Sequence, residues 1–202
     1  MVKSKPKIKS IIFDLGGVIS HGGYLDFIKH YCAECLTPIG KKKILSLERQ
    51  VNLGKITQQE FYNRIRKVFY VHLTPKQMHN LIVKHMQVNK SLVHLIPKLK
   101  KTRIALFTNS LGSMAYEVMK RDRLSSKKLF DRIFVSTKMH QVKPDRKAYE
   151  YVVRQLKIKP SQALFVDDRL ENIRPLKNLG MHGIVFKDTR QFAKELKKYE
   201  LV

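Results

Sequence analysis

Three apolar runs in this chain end on polar residues able to handle a phosphoryl group. Ile8 to Phe13 leads into Asp14-Leu15-Gly16-Gly17, Ile104 to Phe107 into Thr108-Asn109-Ser110, and Ala163 to Val166 into Asp167-Asp168. A polar loop adds Lys143-Pro144-Asp145. Attack of a carboxylate on a phosphate monoester brings two anions together, so the reaction needs a cation between them, and Mg²⁺ with oxygen ligands suits both partners. On that chemistry Asp14 is the expected nucleophile, forming a transient aspartyl phosphate, and Asp14 and Asp168 are the expected metal ligands. Thr108 would offer a hydroxyl and neighbouring backbone N–H groups to the phosphoryl oxygens, while Lys143 balances Asp14 and the transferring group. Asp14, Asp167 and Asp168 would repel one another without a metal or a base nearby. Thr108 and Asn109 also read as ordinary turn residues, and Ser110 as a cap for the helix that follows.

The elements that must carry these residues follow from the spacing of the apolar runs. Runs of four to six residues separated by longer amphipathic stretches predict an α/β fold with parallel strands and helical crossovers. Further strands are expected at 133–135 and 184–186, giving a sheet of at least five, and helices at about 112–121, 145–156 and 169–179, the last capped by Gly180. Ligands of such sheets bind beyond the carboxyl ends of the strands, near a switch in strand order, where the four polar segments would converge. Residues 20–90 carry helical patterns at 24–35, 41–53, 57–70 and 75–87, an all-helical insert. Thr57 and Glu60 form an expected capping box ahead of the stripe Phe61, Ile65, Val68 and Phe69. Pro97 is a misfit in the helical run 91–100 and predicts a kink or an early stop.

The ordered set of motifs resembles the haloacid dehalogenase-like superfamily of hydrolases. It comprises Asp14 in Phe13-Asp14-Leu15-Gly16-Gly17-Val18, Thr108-Asn109-Ser110, Lys143-Pro144-Asp145, and Phe165-Val166-Asp167-Asp168 followed by Asn172, across residues 8–187. The resemblance implies a Rossmann-like core of residues 1–19 and 91–202 and a helical cap of residues 20–90 that closes over the pocket. It implies catalytic roles for Asp14, Thr108 and Lys143, and substrate contacts from Gly16, Gly17, Thr108, Asn109 and Lys143. The implied metal set is Asp14, the Gly16 carbonyl and Asp168, with Asp167 and Asn172 in support. His21, Tyr24 and Asp26, just past the first loop, become candidates to touch the ligand. Gly16 stands where the usual family phosphatase carries a second Asp as general acid and base. It matches instead an Asp-x-Gly-x-Val phosphatase subgroup, with Asp26 or a water as the proton-transfer alternative.

Composition sets outer bounds. The chain of 202 residues is 43% hydrophobic, enough for one domain or a core with a modest insert. No apolar stretch approaches the roughly 20 residues that span a bilayer, so a cytoplasmic protein with no membrane partner is the expectation, monomeric by default. Forty-one basic residues against sixteen acidic ones give a formal charge of +25, which attracts anionic ligands. The lysines are dispersed and no RNA-recognition or zinc-finger spacing accompanies them, so a small phosphorylated substrate, a sugar phosphate or nucleotide, is favoured over nucleic acid. Cys32 and Cys35 form a lone C-x-x-C beside His30, read as buried thiols on a helix because no second pair completes a zinc site. Two alternatives stay open: a metal-independent hydrolase resembling the haloacid dehalogenases, and a non-catalytic protein that binds nucleic acid or another acidic partner.

Overall fold

A computed structural model describes residues 7–31, 36–99, 102–124 and 129–201. Cys32 and Cys35, and with them the predicted end of the first helix, lie outside the described residues. The chain enters on β1 (Ser10–Phe13) and leaves the sheet through β2 (Ser20–His21). It then runs through α1 (Tyr24–Tyr31), α2 (Pro38–Asn52), α3 (Gln58–Phe69) and α4 (Pro75–His85), and returns on β3 (Gln87–Val88). β2 and β3 pair antiparallel, so both connections between the helical segment and the sheet pass through one small ribbon. The remainder alternates helix and strand: α5 (Lys90–Leu95), β4 (Arg103–Thr108), α6 (Met114–Arg121), β5 (Arg132–Val135), α7 (Ser136–Met139), α8 (Arg146–Gln155), β6 (Ala163–Asp167), α9 (Leu170–Ile173), β7 (His182–Val185) and α10 (Thr189–Leu196).

The main sheet is five-stranded and parallel, ordered β5-β4-β1-β6-β7. β1 is therefore the central strand, and all four of its residues are buried. Successive side chains of a strand point to opposite faces, and the apolar residues divide accordingly. Ile11, Phe13, Leu106 and Val166 join one buried cluster with Val118 of α6 and Phe192 of α10. Ile12, Ala105, Phe107 and Phe165 join the other with Tyr149 and Val152 of α8. A strand covered on both faces reads as a continuous apolar run, which is why these strands were legible. Each fully buried large side chain, Phe13 or Phe165 for example, contributes about 1.5–3 kcal/mol.

The predicted five-strand architecture holds, with local corrections at prolines and caps. α2 begins at Pro38, earlier than its apolar pattern, because the Thr37 hydroxyl accepts from the Gly40 N–H and Pro38 takes the first helical position. The Thr57–Glu60 capping box is present, and Thr74 with Gln77 makes a second. The predicted 169–179 helix breaks into α9 and a 3₁₀ stretch, Arg174–Leu179, because Pro175 lacks the N–H that an α-helix requires. Gly180 ends it in the left-handed region at φ 68°. Pro97 acts as expected: α5 stops at Leu95 and a 3₁₀ turn, Ile96–Lys98, follows. The run predicted as helix to residue 87 stops at His85 with Met86 as its cap, and Gln87 already belongs to β3.

Candidate active site

Register decides which side chains meet. Phe13 lies opposite Leu106 on β4 and Val166 on β6, so one residue further on Asp14 comes level with Asp167. The Asp14 N–H bonds to the Val166 carbonyl at 2.9 Å, which fixes this corner. β1 feeds β4 on one side, and the chain later crosses to β6 on the other, so Asp14, Thr108 and Asp167 sit at the switch in strand order.

Lys143 is the hub of the cluster. Its ammonium lies 3.0 Å from Asp14 Oδ1 and 2.7 Å from Asp167 Oδ2, with the side chain 1% exposed. The Phe107 and Phe165 rings flank it at 5.3 and 5.2 Å from ammonium to centroid. Asn109 holds the Lys143 backbone at both ends: its Nδ2 donates to the Lys143 carbonyl and its Oδ1 accepts the Lys143 N–H, each at 3.0 Å. A lysine so fixed needs little reorganisation to face a developing negative charge. Burial opposes its charge, yet Asp14 and Asp167 together raise its pKa above the usual lysine value.

The three carboxylates differ in how fully they are used. Asp167 is fully buried, and its two oxygens accept from Lys143, from Asn172 Nδ2 at 2.9 and 3.0 Å, and from the Arg169 N–H at 2.9 Å. Asp14 Oδ1 accepts from its own neighbour, the Leu15 N–H, at 2.7 Å as well as facing Lys143. Asp168 opens to the cavity. One oxygen from each of the three lies within 4.8 Å of the others. Burial pushes the Asp14 carboxyl up to about 7; Lys143 opposes the shift, while Asp167 and Asp168 add to it. Partial burial and then Asp167 raise Asp168 in the same direction. One lysine does not neutralise three carboxylates, and an all-oxygen donor set beside a cavity fits a hard divalent cation such as Mg²⁺.

The loop after β1 is shaped for this neighbour. Gly17 has φ +74°, and a Cβ there would lie 2.2 Å from Asp168 Oδ2. At Gly16 a Cβ would meet nothing within 4 Å. Thr108 is 3% exposed and borders the cavity, its hydroxyl donating to the Asn109 carbonyl at 3.2 Å. Ser110 takes the helix-capping role: its hydroxyl accepts the Ala115 N–H at 3.1 Å.

A cavity of about 620 Å³ lies between these strand ends and the helical segment. Tyr24 and Asp26 line it; His21 does not, and instead edges a separate polar depression with Asn89 and Lys187. The roof also includes Leu45, Glu48, Arg49 and Asn52, none of which the motifs had marked. These fall at i, i+3, i+4 and i+7, a single helical stripe, while Ile44 and Val51 face the helical core. The stripe was present in the sequence, but only the tertiary fold shows that it faces the cavity. Arg49 reaches the core through a two-pronged pair with Asp145, 3.2 and 2.7 Å long.

The profile of the haloacid dehalogenase-like hydrolases matches residues 11–186. The chain belongs to that family. A D-ribitol-5-phosphate phosphatase from Bacteroides thetaiotaomicron is 24% identical over 94% of this chain and 97% of its own length. A sesquiterpene phosphatase from Aspergillus oryzae is 37% identical, over 35% of this chain and 36% of its own length. A bifunctional epoxide hydrolase 2 from Rattus norvegicus is 35% identical over 34% of the chain, a match spanning only 12% of that longer protein. Among solved structures, a HAD family enzyme from Bacteroides thetaiotaomicron superposes with a TM-score of 0.78 at 20% identity, covering 94% of this chain and 98% of its own. The same enzyme, bound to magnesium and inorganic phosphate, superposes at 0.71 with 21% identity, covering 90% and 96%. The family hydrolase fold is thus shared along nearly the whole chain. Among the described residues no helix is long and apolar enough to cross a membrane.

Proposed function

We propose that this protein is a Mg²⁺-dependent phosphatase of small phosphorylated metabolites that works through an aspartyl phosphate on Asp14. The observation that carries the reading is the buried ammonium of Lys143 shared between Asp14 and Asp167, with Asp168 open to the cavity beside them. Asp14, Asp168 and the Gly16 carbonyl would hold Mg²⁺, which would offset charge on the carboxylate and the incoming phosphate. Asp167, its oxygens already bonded, anchors Lys143, and Asn172 anchors Asp167.

In this reading Lys143 and the Leu15 N–H both engage Asp14 Oδ1, and among the described residues no hydrogen bond reaches Oδ2. Oδ2 is therefore the oxygen free to attack phosphorus. Thr108 and the adjoining Asn109 N–H receive the phosphoryl oxygens; as the ester P–O bond breaks, the leaving oxygen departs toward the helical roof and takes a proton from water. The helical segment acts as a cap, and its exposed Arg49–Asp145 pair, worth about 0.2–1 kcal/mol, is weak enough to open and close. A formal charge of +25 supports an anionic substrate. The phosphatases among the relatives support phosphate-ester chemistry, and the magnesium and phosphate bound in the Bacteroides thetaiotaomicron enzyme support the metal.

Gly16 favours one competing reading, a dehalogenase-like attack of Asp14 on carbon. The Asp167–Asp168 pair opposes it, since carbon attack has no need of a divalent cation there. A phosphate-release screen over sugar phosphates, nucleotides and small phospho-acids, with and without Mg²⁺, tests the proposal. Turnover abolished by chelation supports it. Halide release undiminished by chelator, with no phosphate release, overturns it.

A further inference from the structure

The cavity roof carries polar groups whose bonding capacity is not filled. Asn52 Oδ1 is buried without a hydrogen-bond partner, and the Tyr24 hydroxyl is buried with Glu48 beside it. Arg66 Nε and Gln141 Oε1 are also unpartnered, but those residues do not line the cavity, whereas Tyr24 and Asn52 do. Glu48 lines the same roof and interacts with the Tyr24 hydroxyl. The Tyr24 ring is held against Phe61, centroids 5.9 Å apart, so its hydroxyl is delivered to the cavity by a fixed anchor. Buried polar groups in folded proteins are nearly always paired, and each orphan is a candidate ligand contact. Leu111, Met114, Ala115 and Val142 add apolar lining elsewhere in the cavity.

The donor and acceptor inventory defines what would satisfy it. Asn52 Oδ1 only accepts, a tyrosine hydroxyl does either, and a carboxyl accepts or, when neutral, donates. The complement is a cluster of hydroxyls. Burial pushes the Glu48 carboxyl up to about 7, with Arg169 and Tyr24 opposing, so near neutrality Glu48 is able to donate as well as accept, which suits hydroxyl partners.

We propose that Tyr24, Glu48 and Asn52 form a hydroxyl-recognition subsite that selects phosphate esters of small polyhydroxy alcohols over esters of apolar alcohols. The proposal rests on the phosphatase reading of Asp14, since the phosphoryl group sets where the alcohol lies. An apolar alcohol would leave the Asn52 acceptor dry and unpaired and offer the Tyr24–Glu48 pair no further bond, and a site built to bond a substrate hydroxyl rejects its deoxy analogue strongly.

The test compares a pentitol 5-phosphate with n-pentyl phosphate, esters of equal carbon number, in the wild type, Asn52→Leu and Tyr24→Phe. The expected wild-type kcat/KM ratio favours the pentitol ester by at least about a hundredfold, and each variant shrinks that ratio by about tenfold or more. A role confined to packing would move both esters together and leave the ratio unchanged; that result, in variants whose thermal unfolding remains cooperative, overturns the subsite. Calorimetric binding of both esters to Asp14→Asn in Mg²⁺ separates the two claims. If neither ester is hydrolysed by the wild type but the pentitol ester binds at least tenfold tighter, and Asn52→Leu removes the difference, the phosphatase reading fails and the subsite stands. Equal affinities overturn the subsite whatever the turnover.

Discussion

Replacing Lys143 by methionine isolates the electrostatic core of the site. The side chain is 1% exposed and its ammonium lies 3.0 and 2.7 Å from two carboxylates. Methionine preserves much of the packing between Phe107 and Phe165 but leaves Asp14 and Asp167 buried without their counter-charge. Breaking a buried ion pair by removing one partner costs about 3–5 kcal/mol. For a chain of this size each kcal/mol shifts Tm by about 2–4 °C, so the expected fall is roughly 6–20 °C. The assay is thermal unfolding followed by circular dichroism at pH 8 in chelator. A pH series supplies the sign. Asp14 is already raised to about 7 by burial, and loss of Lys143 raises it further. An acid whose folded pKa lies above its unfolded value stabilises the fold at low pH and loses that contribution as pH rises through the folded pKa. The gap between Lys143→Met and wild type should therefore narrow as pH is lowered from 8 to 6. A fall in Tm below about 3 °C at pH 8, or a gap that widens on acidification, would refute the reasoning.

Other consequences follow from the same geometry. On the proposed ligand set Asp14 must be deprotonated to hold Mg²⁺, so Mg²⁺ affinity measured by calorimetry should fall below pH about 7, approaching tenfold per pH unit; a flat profile from pH 5.5 to 8 would contradict this. Gly17→Ala places a Cβ 2.2 Å from Asp168 Oδ2 at φ +74°, and should cost about 1–2 kcal/mol in stability and at least about tenfold in Mg²⁺ affinity, read by unfolding and calorimetry. Gly16→Asp meets open space and should fold normally while raising turnover of alkyl phosphates about tenfold or more, with a smaller gain for aryl esters, whose leaving groups need less protonation. Glu48→Gln removes a carboxyl that burial raises from 4.5 to about 7; it should stabilise the protein at pH 8 by on the order of 1–3 kcal/mol and leave it unchanged near pH 4, and no gain at pH 8 in chemical denaturation would remove that account of Glu48.

What could be read in advance depended on how local the cause was. Strands buried on both faces announce themselves as apolar runs, and a polar residue at the carboxyl end of such a run is already placed by the fold, which is why Asp14, Thr108 and Asp167 were visible from sequence. Thr57 with Glu60 and Gly180 were equally legible, because caps are satisfied within a few residues. Pro175 stands inside the predicted 169–179 helix, and its missing N–H turns the second half of that run into a 3₁₀ stretch. The cavity roof was not legible. Glu48 and Asn52 sit on a helix whose apolar pattern is satisfied by Ile44 and Val51, and nothing near them in sequence says that their stripe faces Asp14. The Arg49–Asp145 pair joins positions 96 residues apart, and the Asn109 brace on Lys143 spans 34. Those contacts are products of the tertiary fold.

The most direct test of the central claim is chemical trapping at Asp14. Wild-type protein mixed rapidly with a turned-over phosphate ester and Mg²⁺, then quenched in acid and digested, should yield the peptide containing Asp14 carrying the mass of one phosphoryl group, lost on mild base treatment and absent in chelator. Steady turnover with the label on another residue, or with no trapped phosphoryl group under single-turnover conditions, would contradict the account.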